Sequence, residues 1–366
     1  MATNAELAEK QRRVDEFLDR RGFDGLLLGR VESFAWFSCG GECHVNIAAE
    51  TGVGALLVRR DRTILITNNV EKSRLTEEEL RGLSFDPEIR PWWRDDLAPI
   101  VADLASGQKI ASDIDLPGVT ALPAEVARLR RSLAPEEVVR YRSLGKAVGE
   151  AIGEACMSVE PGMAEHEVAA ALAGEHFRRG IQPIVVLVAS DERLPKHRHP
   201  LPTDSKVKRA VMLVVCGRKH GLIVSTTRIV HFGPVPTELA RKHEAVMAVD
   251  ATLIAATRVG ARIGDILNRG VEAYAAQGFP NEWQLHHQGG PTGYAARDYR
   301  ATPETEDTVQ PFQPFAWNPS IAGTKSEDTI IATPDGPEVI SLSPGIPTRA
   351  VEAGGLTVPR SDLIVR

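Results

Sequence analysis

VMLVVCGRKHGLIVSTTRIVHFG, from Val211 to Gly233, holds two apolar runs about a short polar turn at Arg218–Gly221. The first run is almost wholly apolar, which is the pattern of a strand covered on both faces. A lone Cys216 closes it, and the second run carries Ser225, Thr226, Thr227 and Arg228. Polar side chains in an otherwise buried strand pair have a task, in packing or in chemistry.

Three other segments carry polar groups of the same kind. KHRHPLPTD, Lys196–Asp204, is a loop with two histidines and two prolines. LHHQGGPTGYAARDYR, Leu285–Arg300, is glycine-rich with two adjacent histidines. FAWNPSIAGTKSEDTIIATPDG, Phe315–Gly336, reads as strand, turn and strand. A faint repeat links the two sides of Val211–Gly233. A long helix, a turn at Val159-Glu160-Pro161-Gly162-Met163 and a second helical stretch, Glu165–Leu172, are echoed about a hundred residues later around Arg258–Ile266. Two related α/β halves would make a pseudo-twofold domain.

Upstream, residues 5 to 18 read as an amphipathic helix with Leu7, Val14, Phe17 and Leu18 near one face. Gly25–Gly29 reads as a buried strand, Gly54–Thr67 as a hairpin about Arg60-Asp61-Arg62, Glu71–Leu80 as a helix and Gln108–Asp113 as a strand. This alternation predicts a small α/β domain. Near Arg128 the chain turns basic, and Pro135-Glu136-Glu137 then opens a long helical pattern. Proline and two acids suit the first turn of a helix. The boundary is placed there, giving domains of 1–132 and 133–366.

The whole chain has 366 residues, 43% hydrophobic and 25% charged, with net charge −6 and pI about 6.0. That balance gives no basic footprint for nucleic acid. No apolar run nears the ~18 residues of a membrane span, and the polar N-terminus is unlike a secretory signal. Four cysteines fit a reducing, cytoplasmic setting rather than a disulfide scaffold.

In this order the segments resemble the pita-bread fold of the M24 peptidases, the family of methionine aminopeptidase, prolidase, aminopeptidase P and creatinase. EEVVRYRSLGKA is similar to the helix that opens their catalytic domain, and the first domain looks like the creatinase N-terminal one. The resemblance implies two metals on two Asp, one His and two Glu. Here the matching positions are Cys216 before Gly217, Ser225 in Ser225-Thr226-Thr227-Arg228, His287, Asn318 before Pro319, and Glu327 in Glu327-Asp328-Thr329. Three of the five have changed to neutral groups. A pair of hard divalent cations needs several anionic oxygens, so a dinuclear mechanism is not expected.

Creatinase and ectoine hydrolases look like metal-free members. The creatinase catalytic histidine falls in a loop like His199-Pro200-Leu201-Pro202-Thr203, with His197 as its rival. The resemblance therefore implies a metal-independent hydrolase of a C–N bond in a small polar substrate, with no cofactor, no nucleic-acid or membrane partner, and a homodimeric state. His199 would be the general acid/base, with His287 and Glu327 assisting. His286 would point elsewhere if its segment is extended. Cys216 reads as a nucleophile, a lining group or an inert core residue. Ser225, Asn318, Arg228 and Tyr294 are candidates for substrate binding, although Arg228 reads first as a structural ion-pair partner. Glu327, without a metal, must meet a histidine, an arginine or a cationic substrate group. Two rival readings stand beside this one: a binding protein without activity, and a peptidase or lyase with one metal on Cys216, His287 and Glu327.

Overall fold

The computed structural model describes residues 4–366. They cluster into two units. The first runs to Glu137 and takes in the turn residues His220–Leu222; the second comprises Val138–Lys219 and Ile223–Arg366.

In the first unit, α1 (Asn4–Arg21) leads into β1 (Gly25–Arg30), α2 (Val31–Phe37) and the hairpin β2 (Thr51–Val58) and β3 (Thr63–Asn68). Then come β4 (Asp86–Arg90), α3 (Leu97–Ala105), β5 (Ile110–Ser112), β6 (Thr120–Ala121) and α4 (Pro123–Leu129). Six strands form one mixed sheet in the order β4-β3-β2-β1-β5-β6. Alternate residues of its centre, Leu27, Leu57, Ile64 and Ile66, bury against Ile100 and Val101 of α3. That is the period of two a half-covered sheet needs. The helix expected over Glu71–Leu80 is a single wide π-helical turn, Arg74–Glu79.

The end of this unit holds a fully buried cation. Lys10 on α1 makes ion pairs with Glu6 at 2.7 Å and Glu137 at 2.9 Å. Glu137 also accepts the Ala134 backbone N–H at 2.7 Å. A buried charge is stable only with such partners, so the first turn of the next helix stays with α1.

The second unit is built twice. α5 (Pro135–Ser158), α6 (Glu165–Phe177), β7 (Gln182–Ser190), β8 (Ala210–Lys219) and β9 (Leu222–His231) form the first copy. The second is α7 (Thr237–Ala256), α8 (Ile263–Ala276), β10 (Gly289–Pro291), β11 (Gln313–Trp317), the small hairpin β12 (Ser320–Ile321) and β13 (Thr324–Lys325), β14 (Asp328–Thr333) and β15 (Gly336–Val339). After these come the hairpin β16 (Thr348–Ala353) and β17 (Leu356–Ser361), then β18 (Ile364–Val365). The two four-stranded sheets run β18-β9-β8-β7 and β10-β11-β14-β15.

The repeat extends to single hydrogen bonds. Gly162 N–H donates to Val207 O, and Gly260 N–H to Val309 O; Val207 N–H returns to Met163 O, and Val309 N–H to Ala261 O. Both glycines have positive φ, 96° and 85°, as a left-handed turn between helices requires. On α5, Gly145 and Gly149 take the backbone of Ile340–Leu342 against the helix. A Cβ there would stand 2.4 Å from Ile340 O and 2.3 Å from Leu342 O.

Candidate active site

Every residue of the expected site lies in the second unit. β8 and β9 bring Cys216 and Ser225 side by side, with Sγ and Oγ 3.2 Å apart. β14 then pairs its entry with β9: Thr227 N–H donates to Glu327 O at 3.2 Å, and Thr227 Oγ1 donates to the Glu327 carboxylate at 2.6 Å. Asn318 follows β11, and its Oδ1 is buried without a hydrogen-bond partner.

The hairpin β12–β13 carries the least anticipated part. Gly323 turns it at φ 98°, and Ser320 faces Lys325 across it. The hairpin is fixed from below by Tyr274, whose hydroxyl accepts the Ser320 N–H at 2.8 Å, and by His243, bonded to Thr324 Oγ1 at 2.7 Å. Ser320 Oγ holds His286 Nδ1 at 3.0 Å. Lys325 Nζ sits 2.7 Å from Glu327 Oε2, and Arg297 lies 3.1 Å from Oε1. Lys325 and Glu327 are two apart in an extended segment, so they share a face.

Burial opposes the charge on Glu327, yet Lys325 and Arg297 outweigh it and hold the carboxyl at about 2. The partner for Glu327 is therefore internal, a lysine and an arginine, and the expected histidine or cationic substrate group is not needed to neutralise it. Lys325 and Arg297 were missed by sequence reasoning. For Lys325 the two-residue spacing was a usable signal; for Arg297, beyond the glycine loop, there was none.

Three histidine rings meet nearby. His199 and His286 are 3.1 Å apart between their Nε2 atoms. Ring centroids are 4.9 Å apart for His199–His286, 5.5 Å for His199–His287 and 4.7 Å for His286–His287. The backbone at His286 is extended, as expected, but its ring does not leave the site. Ser320 draws it toward His199, and this corrects the view that His286 points elsewhere. His287 Nδ1 is buried and unpartnered. His197 is exposed.

Burial lowers all three rings. His286 is pushed far below the usual imidazole range by burial, then by Lys325 and the neighbouring rings. His287 falls to about 4 through burial and then Arg297. His199 falls through burial and Lys325, against the opposing charge of Glu327. All three are neutral near pH 7, so each offers a lone pair and a donor.

Three other expectations change. Arg228 is not presented to a ligand: it is 2% exposed and spends its donors on Asp328 at 2.8 Å, Ser341 O at 2.8 Å, Thr226 Oγ1 at 2.7 Å and Ser343 Oγ at 3.0 Å. It is structural. Cys216 is raised by burial and then by the charge of Glu327, which keeps it a thiol and argues against a thiolate nucleophile. Cys216, His287 and Glu327 do not converge as a ligand set. Among the described residues the grouping able to hold a metal ion is His199, His286 and His287, within 4.8 Å. Tyr294 is buried in the domain at 3% exposure. Gly289 is set by packing, since a Cβ there would lie 2.1 Å from Ala316 O.

The chain matches the Peptidase M24 model over residues 140–334, just over half its length. It belongs to metallopeptidase family M24. A Bacillus subtilis (strain 168) protein described as a putative dipeptidase, YkvY, is 25% identical over 221 residues, 57% of this chain and 58% of that protein. The chain thus aligns with under two thirds of that relative. The fold is that of a Thermococcus sibiricus prolidase (TM-score 0.79, 15% identity, all of both chains) and a Bacillus anthracis Xaa-Pro dipeptidase (0.77, 17%, 98% of this chain and 100% of that one). It is also that of the N-terminal domain of the FACT complex subunit SPT16 from chickpea (0.69, 10%, 92% and 96%).

The residues here do not fit the pair of divalent metals that the resemblance implies. Cys216, Ser225 and Asn318 supply no anionic oxygen, and the one carboxylate, Glu327, already holds an ammonium and a guanidinium. The three histidines are chemically able to hold one ion such as zinc. An ion there would have no carboxylate among its ligands, and the charges of Lys325, Arg297 and Arg300 bear on the rings.

Proposed function

We propose that this M24 chain is a metal-independent hydrolase of a C–N bond in a small polar substrate, with His199 and His286 as its proton-moving pair. The observation that carries this reading is the 3.1 Å contact between the two Nε2 atoms, with the far side of His286 fixed by Ser320. In such a relay one nitrogen donates and the other accepts, and His199, the exposed member, meets water. His199 takes a proton from water as the water oxygen bonds to the carbon. The C–N bond then breaks, and the same proton goes to the departing nitrogen. Neutral histidines at pH 7 are in the form a base requires. Asn318 and His287, each with a buried unpartnered atom, supply polar contacts to the substrate.

The relatives named above, dipeptidases and prolidases, support hydrolysis of an amide-type bond. The same reading carries a cytoplasmic location and a homodimer, the latter checked by light scattering on the purified chain. Among the described residues no helix is long and apolar enough to cross a membrane.

The test is to screen amides, amidines and guanidines after exhaustive chelation and to measure bound metal by elemental mass spectrometry. Turnover by metal-free protein that is lost in His199→Ala supports the reading. Turnover that needs a stoichiometric metal overturns it. The second outcome has its own support in the convergence of the three histidines, and would make this an M24 metallopeptidase with a single-metal site.

A further inference from the structure

Glu165 is a buried carboxylate whose work lies away from its own helix. It opens α6, but the Ala164 N–H at that end is taken by the Glu167 carboxylate at 2.6 Å. Glu165 is 0% exposed and bonds instead to the loop that follows β7. Its Oε1 accepts the Ser190 N–H at 2.7 Å and the Ser190 hydroxyl at 2.9 Å. Its Oε2 accepts the Thr203 N–H at 2.9 Å, the Thr203 hydroxyl at 2.8 Å and the Arg193 guanidinium. Ser190 and Thr203 stand at the two ends of the loop that carries His199, so one carboxylate closes it. Arg193 passes the tie on: its Nη2 donates to Leu201 O at 3.0 Å, just beyond His199 and Pro200. Pro200 O in turn accepts the Val188 N–H at 3.2 Å.

The repeat within the second unit supplies a control. Glu165 N–H donates to Ser205 O and His166 N–H to Thr203 O; in the other copy Ile263 N–H donates to Asp307 O and Gly264 N–H to Thr305 O. Glu165 therefore corresponds to Ile263, which is equally buried and apolar. The architecture is met by a hydrocarbon at this place. A carboxylate there carries a desolvation cost that only its donors offset, and those donors are Ser190, Arg193 and Thr203. We propose that Glu165 is a positioning residue: its carboxylate closes the Ser190–Thr203 loop and so sets the His199 ring at its contact with His286. The effect on rate rests on the hydrolase reading, but the effect on the histidine contact does not.

The test is nuclear magnetic resonance on the full chain with labelled histidines. The native protein gives a cross-relaxation signal between the His199 and His286 rings, assigned by its absence from His199→Ala. Glu165→Gln keeps the volume but turns N–H groups toward other donors, and the signal is lost. Arg193→Gln, on a half-buried side chain, weakens the signal through Leu201 and decides the matter if Glu165→Gln does not fold. Ile263→Ala lowers the denaturation midpoint and leaves the signal whole. On the substrate found by screening, Glu165→Gln lowers kcat by about tenfold or more while KM stays within about threefold. A residue that only stabilised the domain would leave kcat per folded molecule unchanged.

A full signal in both Glu165→Gln and Arg193→Gln overturns the proposal, as does equal loss in Ile263→Ala. The two readings fail separately. Loss of the contact in Glu165→Gln, with no substrate turned over by the native chain, sinks the hydrolase and leaves the positioning role. Turnover that needs His199 but keeps its kcat in Glu165→Gln does the reverse.

Discussion

Glu327 and Asp328 are consecutive and both buried, yet they serve different regions of the molecule. Asp328 faces a closed network: Arg228 at 2.8 Å, Ser341 Oγ at 2.7 Å and Arg360 at 2.7 Å, with Arg360 also 2.7 Å from Asp250. Its oxygens are filled by side chains that have nothing further to do. Glu327, on the opposite side of the strand, meets Lys325 and Arg297, which keep donors in reserve. The alternation of an extended chain thus puts architecture on one face and chemistry on the other. What separates them is how far each carboxylate's partners are themselves satisfied, since burial is the same for both.

The largest effect should come from breaking the closed side. Asp328→Ala leaves Arg228 and Arg360 buried without their carboxylate, and chemical denaturation should show a loss of about 3–5 kcal/mol. A loss under about 1 kcal/mol would place Asp328 among surface-like pairs and remove the contrast.

The pH dependence sharpens it. Glu327 is lowered from 4.5 to about 2, so its contribution is complete above pH 4.5 and is lost as pH falls through 2. Asp250 goes the other way. Burial, against Arg360 and Ser326, raises it from 3.8 to about 6, so its contribution is complete below 3.8 and is lost as pH rises through 6. The Glu327 step is on the order of 3 kcal/mol. Unfolding free energy measured from pH 2 to 8 should lose its low-pH rise in Glu327→Gln and its fall between 4 and 6 in Asp250→Asn. If Glu327→Gln leaves the acid limb intact, Lys325 and Arg297 do not hold that carboxylate in solution.

The smallest effect on stability should fall on the open side. His199→Ala removes an exposed ring, so the denaturation midpoint should barely move, within about 0.5 kcal/mol. Turnover of the substrate found by screening should fall by about 100-fold or more. A large stability loss with little change in rate would make His199 a structural residue. Gly149→Ala serves as a control in the architecture. It drives a methyl into Leu342 O and should destabilise by about 1–3 kcal/mol without altering the pH profile.

The sequence made the elements with strong periodicity legible. The apolar runs on either side of Arg218–Gly221 and the two helix–glycine–helix turns carry their own signals, and the structure has them at those places. β7, whose Ile184–Ala189 run is apolar and β-branched, carried a strand signal that went unused, whereas the β16–β17 hairpin, with half its side chains in water, lacked the pattern that marks strands. In the site, Cys216, Ser225, His287, Asn318 and Glu327 stand out because a resemblance gave their positions a meaning. Lys325 and Arg297 have no such counterpart, and their roles depend on contacts between segments that spacing does not encode. Arg228 is the opposite case: its reading as a structural ion-pair partner holds, since a motif arginine next to a site is as readily its scaffold.

Gly145 and Gly149 set a timetable. The backbone that presses into them belongs to Ile340–Leu342, some 195 residues further along. At about 5–20 residues per second, a ribosome needs on the order of 10–40 s to bring one to the other. Through that interval α5 has an open seam, and the apolar strands β8 and β9 wait beside Glu327's unmade partners. A newborn chain of this design would spend its first half-minute as a client for chaperones, and slow codons between 160 and 340 would lengthen the stay.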